Sequence, residues 1–161
     1  MQKITPFLWY NDNAEEAMKH YTSIFPNAKL KEERRYPDGA PNGMSGKILT
    51  CTFELEGMEF IALNAGPMFK FNESVSFFVK CDTQEEVDHY WNSLTADGGQ
   101  ESQCGWLKDK FGLSWQIVPD ALGKLMGDKD PLKASRVMQA MMQMKKIDIA
   151  KLQEAYDGVG A

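Results

Sequence analysis

The sequence predicts an α+β protein made of two βαβββ modules and a C-terminal helical tail. The first observation is an internal repeat: a strand, a turn and a helix with an early Glu-Glu pair occur at 4–25 and again at 75–94. The second is that three strand candidates follow each helix. Either half alone would expose one sheet face, so we expect the halves to pair around a concave mixed sheet. The predicted boundaries are a domain over 1–119, with modules 1–72 and 73–119, and an extension over 120–161.

The first module opens with an aromatic-rich segment at 4–10, whose composition is typical of a strand. Asn13 closes a turn cluster and is expected to cap the helix predicted over 14–25. The apolar residues of that helix have the spacing of one buried stripe. They are Ala14, Ala17, Tyr21, Ile24 and Phe25.

The next strands of this module differ in character. A charged strand is predicted over 29–36, at the sheet edge. The segment 47–56 alternates with the period of a strand that has one buried face. Its apolar face carries Leu49, Cys51, Phe53 and Leu55, and its polar face carries Thr50, Thr52 and Glu54. A tight connection at Gly57 and Met58 leads to a partner strand over 59–64, so the two strands form a predicted hairpin.

The second module repeats this order. A strand is predicted over 75–80, and Thr83 is expected to cap the helix that follows. The buried stripe of that helix consists of Val87, Tyr90, Trp91 and Leu94. Short strands are predicted at 101–104, 106–109 and 114–118.

The tail is predicted to be helical at 120–126 and more strongly at 135–156. Methionines are dense along the second segment: Met138, Met141, Met142 and Met144. A soft apolar stripe of this kind is expected to pack on the same chain or on a twin subunit. The alternative is a binding surface for several partners.

The composition argues against several classes of protein. A net charge of −5 does not favour a phosphate-binding face, so no nucleic-acid partner is expected. No apolar run approaches the ~18 residues that span a bilayer, and we expect no signal peptide and no membrane partner. The three cysteines, Cys51, Cys81 and Cys104, form no CxxC pair. Free thiols in a reducing compartment, the cytoplasm, are therefore expected.

Two stretches carry a family resemblance: ITPFLWYNDNAEEAMKHYTSIFPNAK at 4–29 and CGWLKDKFGLSWQIVP at 104–119. With the two modules, they resemble the vicinal oxygen chelate superfamily of glyoxalases, bleomycin-resistance proteins and extradiol dioxygenases. The similarity covers 1–119 and is specific to the PhnB-like branch, whose members carry the label 3-demethylubiquinone-9 3-methyltransferase-like. The run AMMQMKKIDIAKL within 133–152 is also similar to that branch. The resemblance implies the glyoxalase fold.

The resemblance also implies four places for metal ligands, one on the first and one on the last strand of each module. Members of the superfamily fill these places with His or Glu. The matching positions here are Thr5, a place near Asn64, Ser74 (or Val75 after a one-residue shift) and Gln116. Hydroxyl and amide groups are poor substitutes for imidazole and carboxylate ligands. The sequence therefore predicts neither a metal nor another cofactor.

Other candidates for chemistry are few. His20 and His89 lie on the predicted helices, off the apolar stripes, and are expected to face solvent or to be half-buried. Glu54 is a lone carboxylate without a paired base, which gives little support for acid–base catalysis.

Alternation along the strands predicts which side chains line a pocket. If Leu8 and Tyr10 pack beneath the first helix, their neighbours point the other way. The predicted lining is Thr5, Phe7, Trp9, Thr50, Thr52, Glu54, Asn64, Ser74, Ser76, Phe78, Trp106, Ser114 and Gln116. Aromatic walls with a few polar groups are typical of small-molecule sites. The alternative is that Phe7, Trp9 and Phe78 simply fill the interior.

The function predicted first is that of a small-molecule-binding protein, which sequesters a partly aromatic compound as bleomycin-resistance proteins do. A metal-dependent lyase or dioxygenase is one alternative. The methyltransferase of the family label is another, although the chain lacks the Gly-rich turn with which typical methyl-donor enzymes bind their nucleotide. A structural role of the tail is a fourth possibility. The resemblance further implies a homodimer, because this superfamily commonly pairs modules across subunits.

Overall fold

Strand pairing divides the chain into two modules with the same topology. The structure, a computed structural model, describes residues 2–159 and separates into two units between Phe71 and Asn72. Each unit contains a four-stranded mixed sheet and a helix in the order βαβββ. The predicted α+β class and the repeat of two βαβββ modules are therefore confirmed.

The first unit contains β1 (Phe7–Tyr10), α1 (Ala14–Ile24), β2 (Ala28–Arg35), β3 (Ile48–Leu55) and β4 (Met58–Asn64). Its strands lie in the order β1-β4-β3-β2. β1 runs parallel to β4, and the other neighbours are antiparallel. β2 is the charged edge strand, and seven of its eight residues are exposed. Charge on an edge strand discourages pairing with another chain.

The second unit contains β5 (Ser76–Cys81), α2 (Gln84–Thr95), β6 (Gln100–Glu101), β7 (Trp106–Lys108) and β8 (Ser114–Pro119). The strand order is β5-β8-β7-β6, with β5 parallel to β8. Three tail helices belong to the same unit: α3 (Asp120–Met126), α4 (Pro131–Met142) and α5 (Ile149–Asp157). The first and last strands are thus parallel neighbours in both units.

One face of each sheet packs against the helix of its own unit. In the first unit, Tyr21 of α1 stacks on Phe53 of β3 with ring centroids 6.2 Å apart. In the second, Trp91 of α2 and Trp115 of β8 are both buried. Since side chains alternate along a strand, the opposite face of each sheet is left uncovered by that helix.

The two helix starts differ in how they are capped. Thr83 caps α2 as predicted, because its hydroxyl accepts a hydrogen bond from the Glu86 amide at 3.2 Å. The prediction for Asn13 is wrong, since its side chain makes no capping bond. The first amide of α1, that of Ala14, instead donates to Oδ1 of Asn64 at 2.8 Å. A residue 50 positions later in the chain therefore satisfies an amide that the helix leaves unpaired.

β3 departs from strict alternation at its start. Arg34 pairs with Thr50 and Arg35 with Ile48, so Leu49 is an extra residue opposite β2. This bulge reverses the alternation before Thr50, and Ile48 is buried where Leu49 was predicted to be. Only the beginning of the strand is affected.

The tail does not form the single long helix predicted over 135–156. Two helices, α4 and α5, are separated by the segment 143–148. That segment packs along the second unit, where its carbonyls at Met144 and Lys145 accept bonds from the amides of residues 104 and 105, both at 2.8 Å. The break allows Ile147, which is fully buried, to join the apolar cluster formed with α3, α4 and α5.

Gly105 makes this close approach possible. Its φ is +83°, and an added Cβ would lie 2.9 Å from the Ile117 carbonyl oxygen and 3.2 Å from Cγ1 of Ile147. Both the backbone conformation and the space therefore require glycine at this position. The tail contacts its own chain here, whereas the sequence left open whether it packs on its own chain or on a partner.

Candidate functional site

The uncovered face of the first sheet carries an aromatic and hydroxyl-bearing surface. Phe7 is paired with Ile61, and Trp9 is paired with Leu63. On the other side of β4, Thr52 is opposite Ile61 and Thr50 is opposite Leu63. These side chains therefore share one face, as the alternation predicts. Phe7 is 56% exposed, so it does not fill the interior of this unit.

Trp9 is held by two contacts in the first unit. Its Nε1 donates to the Gly66 carbonyl at 2.9 Å. Its ring meets Phe69 edge-on, with centroids 4.9 Å apart. An aromatic surface with fixed orientation is suited to contact with a planar ligand.

Glu54 shares this uncovered face but is not a free carboxylate. Its oxygens lie 3.5 Å from Nζ of Lys29 and 3.4 Å from Nζ of Lys31. Lys31 also pairs with Glu59 at 3.1 Å, and the hydrogen bond with Glu59 is the main cause of its raised pKa. Glu54 therefore belongs to a surface ion-pair network, which does not favour a role as a general base.

The prediction that Asn64 lines the pocket is wrong. Asn64 lies on the same face of β4 as Phe60 and Ala62, which pack beneath α1. Besides accepting from Ala14, its side chain donates to the Ile48 carbonyl at 3.2 Å. Both ends of the Asn64 side-chain amide are therefore used in hydrogen bonds that hold the unit together. The neighbouring residue Leu63 lies on the uncovered face of β4 instead.

The uncovered face of the second sheet has a similar composition. Phe78 and Trp106 are both paired with Gln116 of β8, from opposite sides. Nε2 of Gln116 donates to Oγ of Ser76 at 3.0 Å. Phe78 is 56% exposed. Four predicted residues of this module, including Gln116 itself, are therefore adjacent on one face.

Two predicted lining residues lie outside the strands. Ser74 is exposed in the turn before β5, and its hydroxyl is 2.6 Å from Oδ1 of Asn72. Thr5 is half-buried and precedes β1. β1 begins three residues later than predicted, and β5 begins one residue later. The side chains of both residues are therefore positioned by loops.

The groups at the four implied ligand positions do not fit a metal ion. Asn64 faces the helix, Ser74 is engaged with Asn72, and Gln116 binds Ser76. Within residues 2–159, no group of three or more His, Cys, Asp or Glu side chains is placed to hold an ion. His20 is half-buried on α1 and His89 is exposed on α2, the positions predicted for them.

A cavity of about 200 Å³ opens on the uncovered side of the second unit. Of the predicted lining it contains Trp106 and Ser114, together with Lys108 and Glu73, which form an ion pair. Lys108 was not predicted as a lining residue because a charged side chain is typical of a solvent-exposed position. Its spacing of two residues from Trp106 on β7 was the available signal, since residues two apart on a strand share a face.

The Ser114 hydroxyl is the unusual polar group of this cavity. The residue is fully buried, and its Oγ has no hydrogen-bond partner within the described part of the chain. Burying an unpaired hydroxyl costs about 1–3 kcal/mol. Such a group is retained more easily if a ligand or water supplies the missing partner.

Comparison with known proteins identifies relatives of the chain. Residues 2–118 match the family described as 3-demethylubiquinone-9 3-methyltransferase. The PhnB protein from Bacillus cereus is 35% identical, with a TM-score of 0.67, over 73% of this chain and 99% of that one. A Pseudomonas aeruginosa protein is 20% identical, with a TM-score of 0.62, over 74% and 98% of the two chains. No curated protein matches significantly.

The fold is also that of FosX, a genomically encoded fosfomycin resistance protein from Listeria monocytogenes. That chain is 16% identical, with a TM-score of 0.51, over 76% of this chain and 94% of its own. At this level of identity the likeness concerns the fold alone. The family match and the Bacillus cereus relative both cover most of the chain. The protein therefore belongs to the family described as 3-demethylubiquinone-9 3-methyltransferase, in which the PhnB protein from Bacillus cereus is a relative.

Proposed function

We propose that this protein binds a small, partly aromatic molecule at the uncovered sheet faces and needs neither a metal nor another cofactor to do so. The observation that carries the proposal is the cavity of the second unit, which is lined by Trp106 and by Ser114 with its unpartnered hydroxyl. Most of the lining is polar, with Trp106 and Leu107 as its apolar members, and polar groups in a ligand site fix the orientation of the ligand.

The exposed aromatic residues support the same proposal. Phe7 and Phe78 each lie on the first strand of their unit, on its uncovered face, and each is 56% exposed. Leaving large apolar side chains in water is unfavourable, and their grouping with hydroxyl-bearing neighbours is typical of a ligand surface. Neither residue has a role in the core of its own unit.

Methyl transfer, which the family description names, has less support. Typical methyl-donor enzymes hold the nucleotide at a Gly-rich turn between a strand and a helix. Here the connections are Asn11–Asn13 after β1 and Asp82–Thr83 after β5, and neither contains glycine. Calorimetry with S-adenosylmethionine tests this alternative. We expect no binding, and micromolar affinity would revive it.

A thermal-shift screen of quinones, phenols and planar antibiotics, with and without divalent metal, tests binding. We expect at least one aromatic compound to raise the Tm in a concentration-dependent way without metal. Trp106→Leu should abolish that shift. Phe111→Leu, which changes a half-buried aromatic residue that does not line the cavity, is the matched control and should keep it. Silence across the panel, or shifts that require metal, would contradict the proposal.

We further propose a cytoplasmic homodimer, with the tail as a fixed part of the second module. Leu132, Met138 and Met142 of α4 are 71%, 47% and 53% exposed and supply an apolar surface for a second copy. None of the helices within residues 2–159 has the length and apolar character that crossing a bilayer requires. Light scattering should give twice the mass of the chain, and replacing the three residues by Gln should halve it. A monomeric mass for the unaltered protein would rule the dimer out.

A further inference from the structure

We propose that the cavity of the second unit selects a small planar ligand whose carboxylate is bound by Lys108 and Ser114. In the free protein the Glu73 carboxylate pairs with the Lys108 ammonium, and the ligand carboxylate displaces it. This inference rests on the proposed function and adds the chemical class of the ligand. The competitor of the ligand for Lys108 is Glu73, a residue of the same chain.

The Ser114 hydroxyl supplies the first half of the anion site. Its Oγ is buried, faces the uncovered side of β8 and has no partner among the residues that the structure describes. A hydroxyl can donate to an oxyanion, and this hydroxyl has no competing acceptor to leave. At Ser114, ligand binding would therefore supply a missing hydrogen-bond partner without breaking a hydrogen bond of this hydroxyl.

Lys108 supplies the second half. In the register of β7 and β8 it lies directly opposite Ser114, and both residues line the cavity. Side chains that face each other across antiparallel strands are close enough for both to contact one ligand group. The ammonium and the hydroxyl together offer two donors to a carboxylate, and hydrogen bonds to a charged group are the stronger kind.

Trp106 adds a preference for a planar ligand. It lies two residues before Lys108 on β7, on the same face, and lines the same cavity. Its indole ring is half-exposed, so a flat group attached to the carboxylate can pack against it. At about 200 Å³ the cavity is smaller than the ~300–1,000 Å³ of most ligand pockets. A single ring with its acid group is the size that this volume favours.

Glu73 shows that a carboxylate fits against Lys108. Its carboxylate forms an ion pair with the Lys108 ammonium from the turn before β5. That hydrogen bond lowers the pKa of Glu73, so the acid stays charged at neutral pH. The Glu73 side chain is 61% exposed, and an ion pair of this kind contributes little to stability. A ligand carboxylate that also reaches Ser114 can therefore replace it.

The other acid of the cavity, Glu101, has a hydrogen-bond partner of its own. Oε1 of Glu101 accepts a hydrogen bond from Nε1 of Trp91 at 2.8 Å. That bond joins β6 to α2. Displacing Glu73 is thus the step that frees the Lys108 ammonium.

The test compares benzoate with benzamide, a neutral probe of nearly the same shape, by calorimetry on the full chain. We expect benzoate to bind at least tenfold more tightly. Lys108→Gln should remove this preference and leave benzamide affinity within about twofold. Lys80→Gln is the matched control, because Lys80 also lies on the uncovered face, pairs with Asp120 at 3.9 Å and does not line the cavity. It should keep the preference.

Glu73→Gln gives the most specific result. Removing the competitor should tighten benzoate binding about three- to tenfold, whereas Asp120→Asn, which removes the same charge elsewhere in the unit, should change it less than twofold. Ser114→Ala should weaken benzoate binding about tenfold and at the same time raise the Tm of the free protein, because an unpaired hydroxyl is removed. If Ser114 had only a structural role, its replacement would not weaken benzoate binding and raise the Tm of the free protein at the same time.

Equal affinities for benzoate and benzamide would overturn the inference, as would a Glu73→Gln protein that binds benzoate no better. If aromatic compounds of the thermal-shift panel still bind in that case, the proposed function stands and only the ligand class is wrong. If no compound of the panel binds either, both fail.

Discussion

Replacing Asn64 by alanine should destabilise the protein without changing its ligand site. The Asn64 side chain joins three elements of the first unit: it accepts from the Ala14 amide at 2.8 Å and donates to the Ile48 carbonyl at 3.2 Å. Ala14 is 0% and Ile48 is 7% exposed, so water cannot readily replace the lost partner. The substitution therefore leaves one buried donor and one buried acceptor unpaired.

The size of the effect follows from these two groups. An unpaired buried polar group costs about 1–3 kcal/mol, and the longer bond to Ile48 should lie at the low end. We expect a loss of about 2–4 kcal/mol in the free energy of unfolding. For a chain of this length, that loss of unfolding free energy corresponds to a decrease of roughly 4–16 °C in Tm, at ~2–4 °C per kcal/mol.

Urea denaturation followed by circular dichroism measures this loss. Asn64→Asp keeps an acceptor for the helix amide but buries a carboxylate and turns one of its oxygens towards the Ile48 carbonyl, so it should also destabilise the protein. Asn92→Ala, at an exposed position of α2, should change stability by less than about 0.5 kcal/mol. An Asn64→Ala protein of unchanged stability that has lost ligand binding would refute the assignment of this side chain to the fold.

Three further results are expected. Ile147→Ala should lower the free energy of unfolding by about 2–5 kcal/mol, because the side chain is 0% exposed, whereas Met68→Ala at a position that is 76% exposed should have little effect in denaturant titrations. Iodoacetamide should label Cys104 in the native protein and leave Cys51 and Cys81, both 0% exposed, unlabelled until unfolding, as mass spectrometry can show. Burial raises the pKa of Cys51 to about 11 and of Cys81 to about 12. The unfolded thiols lose protons first, so stability should decrease as the pH rises from ~8.5 towards those values, by up to ~1.4 kcal/mol per pH unit and thiol; a flat profile in urea titrations would contradict this.

The topology could be predicted because it depends on patterns that the sequence displays directly. The early Glu-Glu pairs and the spacing of Tyr21 and Trp91 on their helices mark two equivalent units. The alternation of Thr50 and Thr52 with buried residues identified the uncovered face of β3. Those signals are local, and tertiary packing did not override them.

The position of Asn64 could not be predicted because β4 is apolar on both faces. Phe60 and Ala62 face α1, whereas Ile61 and Leu63 face the other side. Because both faces of β4 are hydrophobic, hydrophobicity does not reveal which face the helix covers. In such a strand a shift of one residue reverses the assignment. The bond from the Ala14 amide, which decides the matter, joins residues that are far apart in the chain.

The break in the tail has a similar cause. No proline or glycine interrupts 132–157, so helix propensity continues through it. The chain leaves the helix where its carbonyls at 144 and 145 bind the loop before β7, and where Ile147 enters the core beside Gly105. Contacts that arise only in the folded unit therefore set the helix boundaries.

An amide NMR titration of the isotopically labelled protein with benzoate locates the ligand directly. The largest shift changes are expected at the Trp106 indole and at the amides of Lys108, Ser114 and Gln116, with small changes along α4. Changes confined to the tail helices, or no changes at saturating benzoate, would contradict a ligand site on the uncovered face of the second sheet.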